Sequence, residues 1–99
     1  MRIEFEDEDL RRLYEDAGYK PRRFGADVVK AFRKKVFFLE SAESELDLRN
    51  YKALHYEKLR GDRVGQHSIR LNDQWRLILR LETDEHGRLV IIVDIDDYH

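Results

Sequence analysis

The segment from Glu57 to Arg80 constrains the fold more than any other part of the chain, because it contains two runs in which apolar and polar residues alternate. A period of two is the signature of a strand with one buried face. The runs are Gln66–Leu71 and Trp75–Leu81, and a turn at Asn72 and Asp73 separates them. The pattern therefore predicts a β-hairpin.

The length of the turn determines which side chains share a face of this hairpin. The apolar residues of both runs lie together only if the connecting loop has an odd number of residues, such as three. The apolar face then carries Ile69, Leu71, Trp75, Leu77 and Leu79, and the outer face carries Ser68, Arg70, Arg76, Ile78 and Arg80. Such a sheet can pack helices on one face and bind an anion on the other.

Two helices are predicted before the hairpin. Met1–Phe5 alternates like a short edge strand, and Asp7 or Asp9 can cap a first helix with an acidic first turn. A second helix is predicted from Gly25 to Ser41 by apolar residues at helical spacing. Its basic residues, which we expect to face water, are Lys30, Arg33 and Lys34.

The remaining segments complete an α+β domain. Ser44–Asn50 is typical of a short turn or half-helix, and Leu89–Ile95 is apolar on both faces, as in a central strand. We therefore predict one domain, residues 1–99, in which two N-terminal helices pack on one face of a mostly antiparallel sheet of four or five strands.

Composition excludes several classes of protein. The chain has 99 residues and no cysteine, so disulfides and zinc sites that need sulfur are excluded. No apolar run approaches the roughly 20 residues of a membrane span, and a signal peptide is not evident, so a cytoplasmic location is expected. The four histidines are not spaced as metal pairs, and neither a metal nor a cofactor is predicted.

Charge is distributed unevenly along a chain whose net charge is only −2. Residues 52–80 contain seven basic and three acidic side chains, whereas residues 81–99 contain one basic and six acidic ones. This polarity permits a local polyanion site on a nearly neutral protein. The candidate phosphate-binding residues are Lys58, Arg60, Arg63, Arg70, Arg76 and Arg80.

The C-terminal histidine is a candidate proton donor. His99 lies beside its own α-carboxylate and close to Asp97, and nearby negative charge favours the imidazolium form. A terminal histidine without a role is the alternative interpretation. Arginines on a strand face together with the terminal Tyr98-His99 pair suggest phosphodiester chemistry, in which guanidinium groups hold the phosphate while an acid and a base move protons.

The second half of the chain resembles the HigB branch of the RelE/ParE toxin superfamily. The resemblance is carried by G-D-R-x-G-Q-x-S-I-R-x-N-D-Q-W-R from Gly61 to Arg76 and by the final D-Y-H. It implies a ribosome-dependent endoribonuclease that cuts messenger RNA, with the RNA 2′-hydroxyl as nucleophile and no metal. It also implies a HigA-like helix-turn-helix antitoxin, which would bring the pair to operator DNA.

The resemblance also implies roles for individual residues. Arg76 and Arg60 would stabilise charge on the phosphate, His99 would transfer protons, and Asp97 and Tyr98 would order the site or stack on a base. Some members have a histidine where this chain has Glu57, and His55 lies two positions earlier. Either His55 or Glu57 would then act as the second proton-transfer group.

Two other functions are compatible with the same fold. A ParE-like protein would poison DNA gyrase without cutting RNA, and it would not need a proton donor beside a phosphate clamp. A noncatalytic module would bind RNA or a protein partner, and Glu57 in place of a histidine favours this alternative.

Overall fold

A computed structural model describes residues 1–97 and shows three helices and a five-stranded sheet in that part of the chain. The elements are β1 (Arg2–Phe5), α1 (Glu8–Glu15), α2 (Ala26–Ser41), α3 (Glu45–Asn50), β2 (Glu57–Lys58), β3 (His67–Arg70), β4 (Trp75–Asp84) and β5 (Gly87–Asp97). The sheet order is β1-β5-β4-β3-β2, with β1 parallel to β5 and the other pairs antiparallel. The predicted α+β class is confirmed. None of the helices in residues 1–97 is long and apolar enough to cross a bilayer.

The hairpin of β3 and β4 has the predicted odd-length loop. Arg70 is opposite Arg76, and the Leu71 amide donates to the Trp75 carbonyl at 2.9 Å, which leaves residues 72–74 as a three-residue loop. The side-chain oxygen of Asn72 accepts hydrogen bonds from the amides of Gln74, at 2.9 Å, and Trp75, at 2.7 Å. Such a bond from an asparagine side chain to the backbone two residues on stabilises tight turns.

The helices cover the apolar face of the sheet, where the core lies. The Asp7 carboxylate caps α1 by accepting from the amides of Asp9 and Leu10, and α2 begins after Gly25 as predicted. Fully buried residues of the helices meet fully buried residues of the strands. They include Phe32, Val36, Leu39, Leu48, Ile69, Leu77, Leu79 and Ile92.

Arg33 does not face water, contrary to the prediction for α2. Its guanidinium donates to the carbonyls of Leu13 at 2.9 Å, Asp16 at 3.1 Å and Tyr19 at 3.1 Å. The last carbonyls of a helix have no partner within the helix, so a cation from a neighbouring element stabilises them. Arg33 therefore holds the end of α1 against α2.

A β-bulge in β5 determines which acidic side chains reach the outer face. Ile78 is opposite Asp94, but the next residue, Leu79, is opposite Ile92, so Val93 is an extra residue in β5. Asp94 consequently lies on the outer face with Ile78, although Ile92 faces the core. An extra residue of this kind re-aims the side chains that follow it.

Candidate functional site

A small cleft lies on the outer face of the sheet, at the end where β4 begins and β5 ends. Its volume is about 80 Å³. Ser68 and Ile78 are opposite each other in β3 and β4, and both are buried. The lining consists of Leu59, Arg63, Ser68, Arg76, Ile78, Asp96 and Asp97. The cleft therefore brings together two predicted phosphate-binding arginines and the last described residues of the chain.

Arg76 is the most enclosed cation of this cleft. Its side chain exposes only 11% of its surface, and one guanidinium nitrogen donates to the backbone carbonyl of His55 at 3.2 Å. A second nitrogen lies 3.8 Å from the Glu57 carboxylate. These contacts hold the guanidinium in one place, and a desolvated cation interacts strongly with charge that develops on a bound anion.

Arg63 enters the cleft from a short 3₁₀ turn, Gly61–Arg63. Gly61 and Gly65 on either side of it have φ of +65° and +86°, conformations that favour glycine and let the chain turn back over the sheet. The Arg63 guanidinium donates to Asp96 at 3.2 Å and lies 3.5 Å from Asp94. This predicted phosphate ligand is therefore already neutralised by carboxylates of β5.

The other predicted cations lie outside the cleft lining. Arg70 pairs with Asp73 in the loop, and Arg80 pairs with Glu6 and Glu82 farther along the outer face. Arg60 precedes the 3₁₀ turn and is exposed. Lys58 is also exposed, and because it is opposite His67 it lies on the other side of the strand from Glu57.

The two candidates for the second proton-transfer group both lie near Arg76. His55 ends a 3₁₀ turn with φ of +49°, a left-handed conformation that is rare for a residue with a side chain, and its carbonyl accepts from Arg76. Glu57 is opposite Ser68, so its side chain is on the cleft side of β2. The geometry leaves both His55 and Glu57 as candidates.

The predicted residues Tyr98 and His99 lie outside the described part of the chain. The last described residue, Asp97, is opposite Trp75, and its carboxylate accepts a hydrogen bond from the side-chain amide nitrogen of Gln74 at 3.1 Å. Asp96 is opposite Arg76. Strand β5 therefore ends at Asp97, which lines the cleft.

Lys35, which was not predicted as part of the site, adds positive charge near this end of the hairpin. Its ammonium donates to the Arg70 carbonyl at 2.6 Å. Burial lowers the pKa of Lys35, and the positive charges of Arg70, Lys34 and Arg76 lower it further. Helix α2 thus brings a cation to the backbone of Arg70 at this end of the hairpin.

His67 is half-buried on the apolar side of β3, and its Nδ1 is buried without a hydrogen-bond partner among residues 1–97. Its ring stacks on Tyr56 with centroids 4.8 Å apart, and Tyr56 donates to the Glu45 carboxylate at 3.0 Å. Burial lowers the pKa of His67, although the charge of Glu45 opposes the shift. Sequence reasoning missed Tyr56 and Glu45 because neither belongs to a motif.

The outline of the fold is shared with toxins whose structures are known. The YoeB/ParE toxin from Agrobacterium tumefaciens aligns with a TM-score of 0.64 at 15% identity, and both chains are covered completely. The YoeB-YefM complex from Staphylococcus aureus aligns with a TM-score of 0.52 at 19% identity over 100% of this chain and 97% of that one. At such identities the likeness establishes the fold class, that of RelE-type toxins.

Sequence comparison identifies the family within this class. Residues 3–99 match the HigB-like toxins, described as the RelE-like toxin of type II toxin-antitoxin system HigB. Toxin HigB-1 of Vibrio cholerae serotype O1 is 36% identical over 80 residues, which cover 81% of this chain and 83% of that protein. The chain belongs to the HigB-like toxin family, as the motifs from Gly61 to Arg76 and at the C-terminus predicted.

Proposed function

We propose that this toxin is a ribosome-dependent endoribonuclease that cuts messenger RNA without a metal ion. The observation that supports this most directly is the enclosed Arg76 guanidinium, which lines a cleft beside the end of β5. A phosphodiester needs a preorganised positive charge where negative charge develops during the reaction, and a buried arginine supplies it.

The proposed reaction uses the RNA as its own nucleophile. The 2′-hydroxyl loses its proton and attacks the adjacent phosphorus, and the bond from phosphorus to the 5′-oxygen of the next nucleotide breaks. The products are a 2′,3′-cyclic phosphate and a 5′-hydroxyl, so one proton is removed and one is delivered. Arg76 and Arg60 would stabilise the charge on the phosphate oxygens.

The proton transfers are assigned to the C-terminal histidine and to a second group near Arg76. His99 would be the principal proton-transfer residue, with Tyr98 and Asp97 ordering it or stacking on a base. His55 or Glu57 would be the second group, and the Glu57 carboxylate lies 3.8 Å from the Arg76 guanidinium. Arg63, Arg70 and Arg80 would bind flanking phosphates in place of their carboxylate partners, whereas Lys58, on the other side of β2, is not assigned to this surface.

The partners follow from the family. A type II toxin is held inactive by a protein antitoxin, and we propose a HigA-like helix-turn-helix protein encoded by the neighbouring gene. Operator DNA would then be bound only through that antitoxin. The ribosome would present the messenger RNA to the cleft.

A matched pair of arginine variants tests the assignment of Arg76. Arg76→Ala should reduce the rate of cleavage by about 10²–10³-fold at saturating ribosome, as expected when one transition-state donor is lost. Arg80→Ala is the control, since Arg80 lies four residues along the same strand and is paired with Glu6 and Glu82. It should weaken binding and leave the saturated rate unchanged. Equal rates for Arg76→Ala and the unmodified protein would exclude Arg76 from the reaction.

Mapping RNA 5′ ends after expression of the toxin alone distinguishes the competing functions. Cuts at codon-spaced positions on translated messages are expected from the ribosome-dependent enzyme. Intact messages with gyrase-linked DNA breaks would instead identify a ParE-like poison. Intact messages without DNA damage would identify a binding module without nuclease activity.

A further inference from the structure

The solvent-exposed side of α2 carries an aromatic groove that plays no part in the reaction proposed for the cleft. Phe37 exposes 63% of its surface and Tyr51 exposes 40%, large fractions for aromatic side chains. The Phe38 ring packs on Tyr51 with centroids 4.8 Å apart and forms part of a groove of about 240 Å³. The lining consists of Lys34, Lys35, Phe37, Phe38, Ser41, Tyr51 and Leu54.

The groove continues along α2 as a basic ridge. Lys30, Lys34, Phe37 and Ser41 recur at spacings of four, three and four residues, which places them on one side of the helix. All four are exposed, whereas Phe32, Val36 and Leu39 bury the opposite side in the core. We call this surface, residues 30, 34, 37 and 41 with Tyr51, the α2 ridge.

We propose that the α2 ridge is the docking surface for the cognate antitoxin, which contacts it through an acidic amphipathic helix. Exposed aromatic patches on a small protein commonly mark interaction sites. A helix-in-groove contact needs apolar anchors for the groove, here Phe37 and Tyr51, and charges that complement the flanking cations, here Lys30 and Lys34. The partner helix should therefore present apolar residues flanked by Asp or Glu. The proposal rests on the proposed toxin–antitoxin pairing.

The composition of the surface favours a protein partner over RNA. RNA sites combine arginine forks or aromatic platforms with cations that follow the backbone. In the groove the Phe38 ring packs on Tyr51, and the Lys35 ammonium donates to the carbonyls of Arg70 and Ala53. Enriched aromatic residues at the centre with charges at the edge are typical of a protein interface.

The ridge and the cleft are also on separate layers of the molecule. Helix α2 packs on the apolar face of the sheet, whereas the cleft opens on the outer face, where Ser68 and Ile78 are part of its lining. Variants on the ridge can therefore change antitoxin binding without changing the groups that we assign to catalysis.

The test measures the affinity of purified toxin for the purified product of the neighbouring gene, by calorimetry. Phe37→Ala removes an apolar anchor and Lys34→Glu reverses a flanking charge, so each should weaken binding by about tenfold or more. Val64→Ala is the control, because Val64 is another exposed apolar residue, at 74%, in the loop on the cleft side. It should bind normally. Unchanged melting temperatures would show that all three variants fold.

Growth arrest in cells without antitoxin separates this proposal from the toxin function itself. If Phe37→Ala arrests growth but is not neutralised by the antitoxin, the proposal is supported. If it binds the antitoxin normally and no longer arrests growth, the ridge is a ribosome contact and the proposal is wrong. Normal binding with normal arrest would also overturn it, as would a toxin homodimer that Phe37→Ala dissociates. A wild-type chain that binds the neighbouring gene product but never arrests growth would refute only the toxin activity.

Discussion

The two faces of the sheet differ in chemistry although the same strands form both. On the inner face, Ile69, Leu77 and Leu79 are completely buried beneath α2. On the outer face, the alternate residues Ser68 and Arg76 border a cleft in which cations and carboxylates face one another. The inner face supplies stability through apolar burial, and the outer face holds charges in position at some cost in desolvation.

The largest expected effect is on the inner face. Phe32→Ala should lower the free energy of unfolding by about 3–5 kcal/mol, because Phe32 has no exposed surface and its removal leaves a cavity. Chemical denaturation measures this change. A loss below about 1 kcal/mol would mean that the helices do not pack on the sheet as described.

A smaller effect is expected on the outer face, where Asp96 neutralises Arg63. Asp96→Asn should increase the affinity for RNA several-fold at low salt, with a change in stability of at most about 1 kcal/mol. Fluorescence anisotropy with a short RNA measures the affinity. Asp84→Asn is the control, since Asp84 pairs with Arg2, which is not one of the proposed RNA-binding residues. Weaker RNA binding by Asp96→Asn would show that the carboxylate positions Arg63 productively.

The buried His67 should make stability depend on pH. Burial holds its pKa below the ordinary value, so the unfolded chain binds a proton at a higher pH than the folded protein. Its contribution is complete above the unfolded pKa of about 6.5 and is lost as the pH falls toward the folded pKa. In thermal denaturation, His67→Phe should therefore lose less stability than the unmodified protein as the pH falls. An identical pH dependence would mean that the shift belongs to another group.

The smallest effect is expected at Ser68. Its hydroxyl is buried beneath the cleft and finds no hydrogen-bond partner among residues 1–97. Removing an unsatisfied buried hydroxyl should be neutral or slightly stabilising, so Ser68→Ala should change the unfolding free energy by no more than about 1 kcal/mol. A loss of about 2 kcal/mol in urea denaturation would instead assign a stabilising contact to the hydroxyl.

Local patterns were sufficient to predict the elements that repeat a simple period. The alternation before and after Asn72 predicted both strands, the odd-length loop and the buried face of Ile69, and the spacing in α2 predicted its boundaries. The bulge at Val93 could not be predicted, since it is visible only in the pairing with β4. Likewise, the hydrogen bonds of the Arg33 guanidinium could not be predicted, because its partners are carbonyls at the end of α1, many residues away.

The candidate site divides in the same way. The motif from Gly61 to Arg76 by itself determined the family and pointed to Arg76, because the residue types and their spacing are specific. Only the tertiary structure decided that Arg63 meets Asp94 and Asp96. The physical reason is that strand period is a local property, whereas charge pairing depends on distances set by strands far apart in the chain.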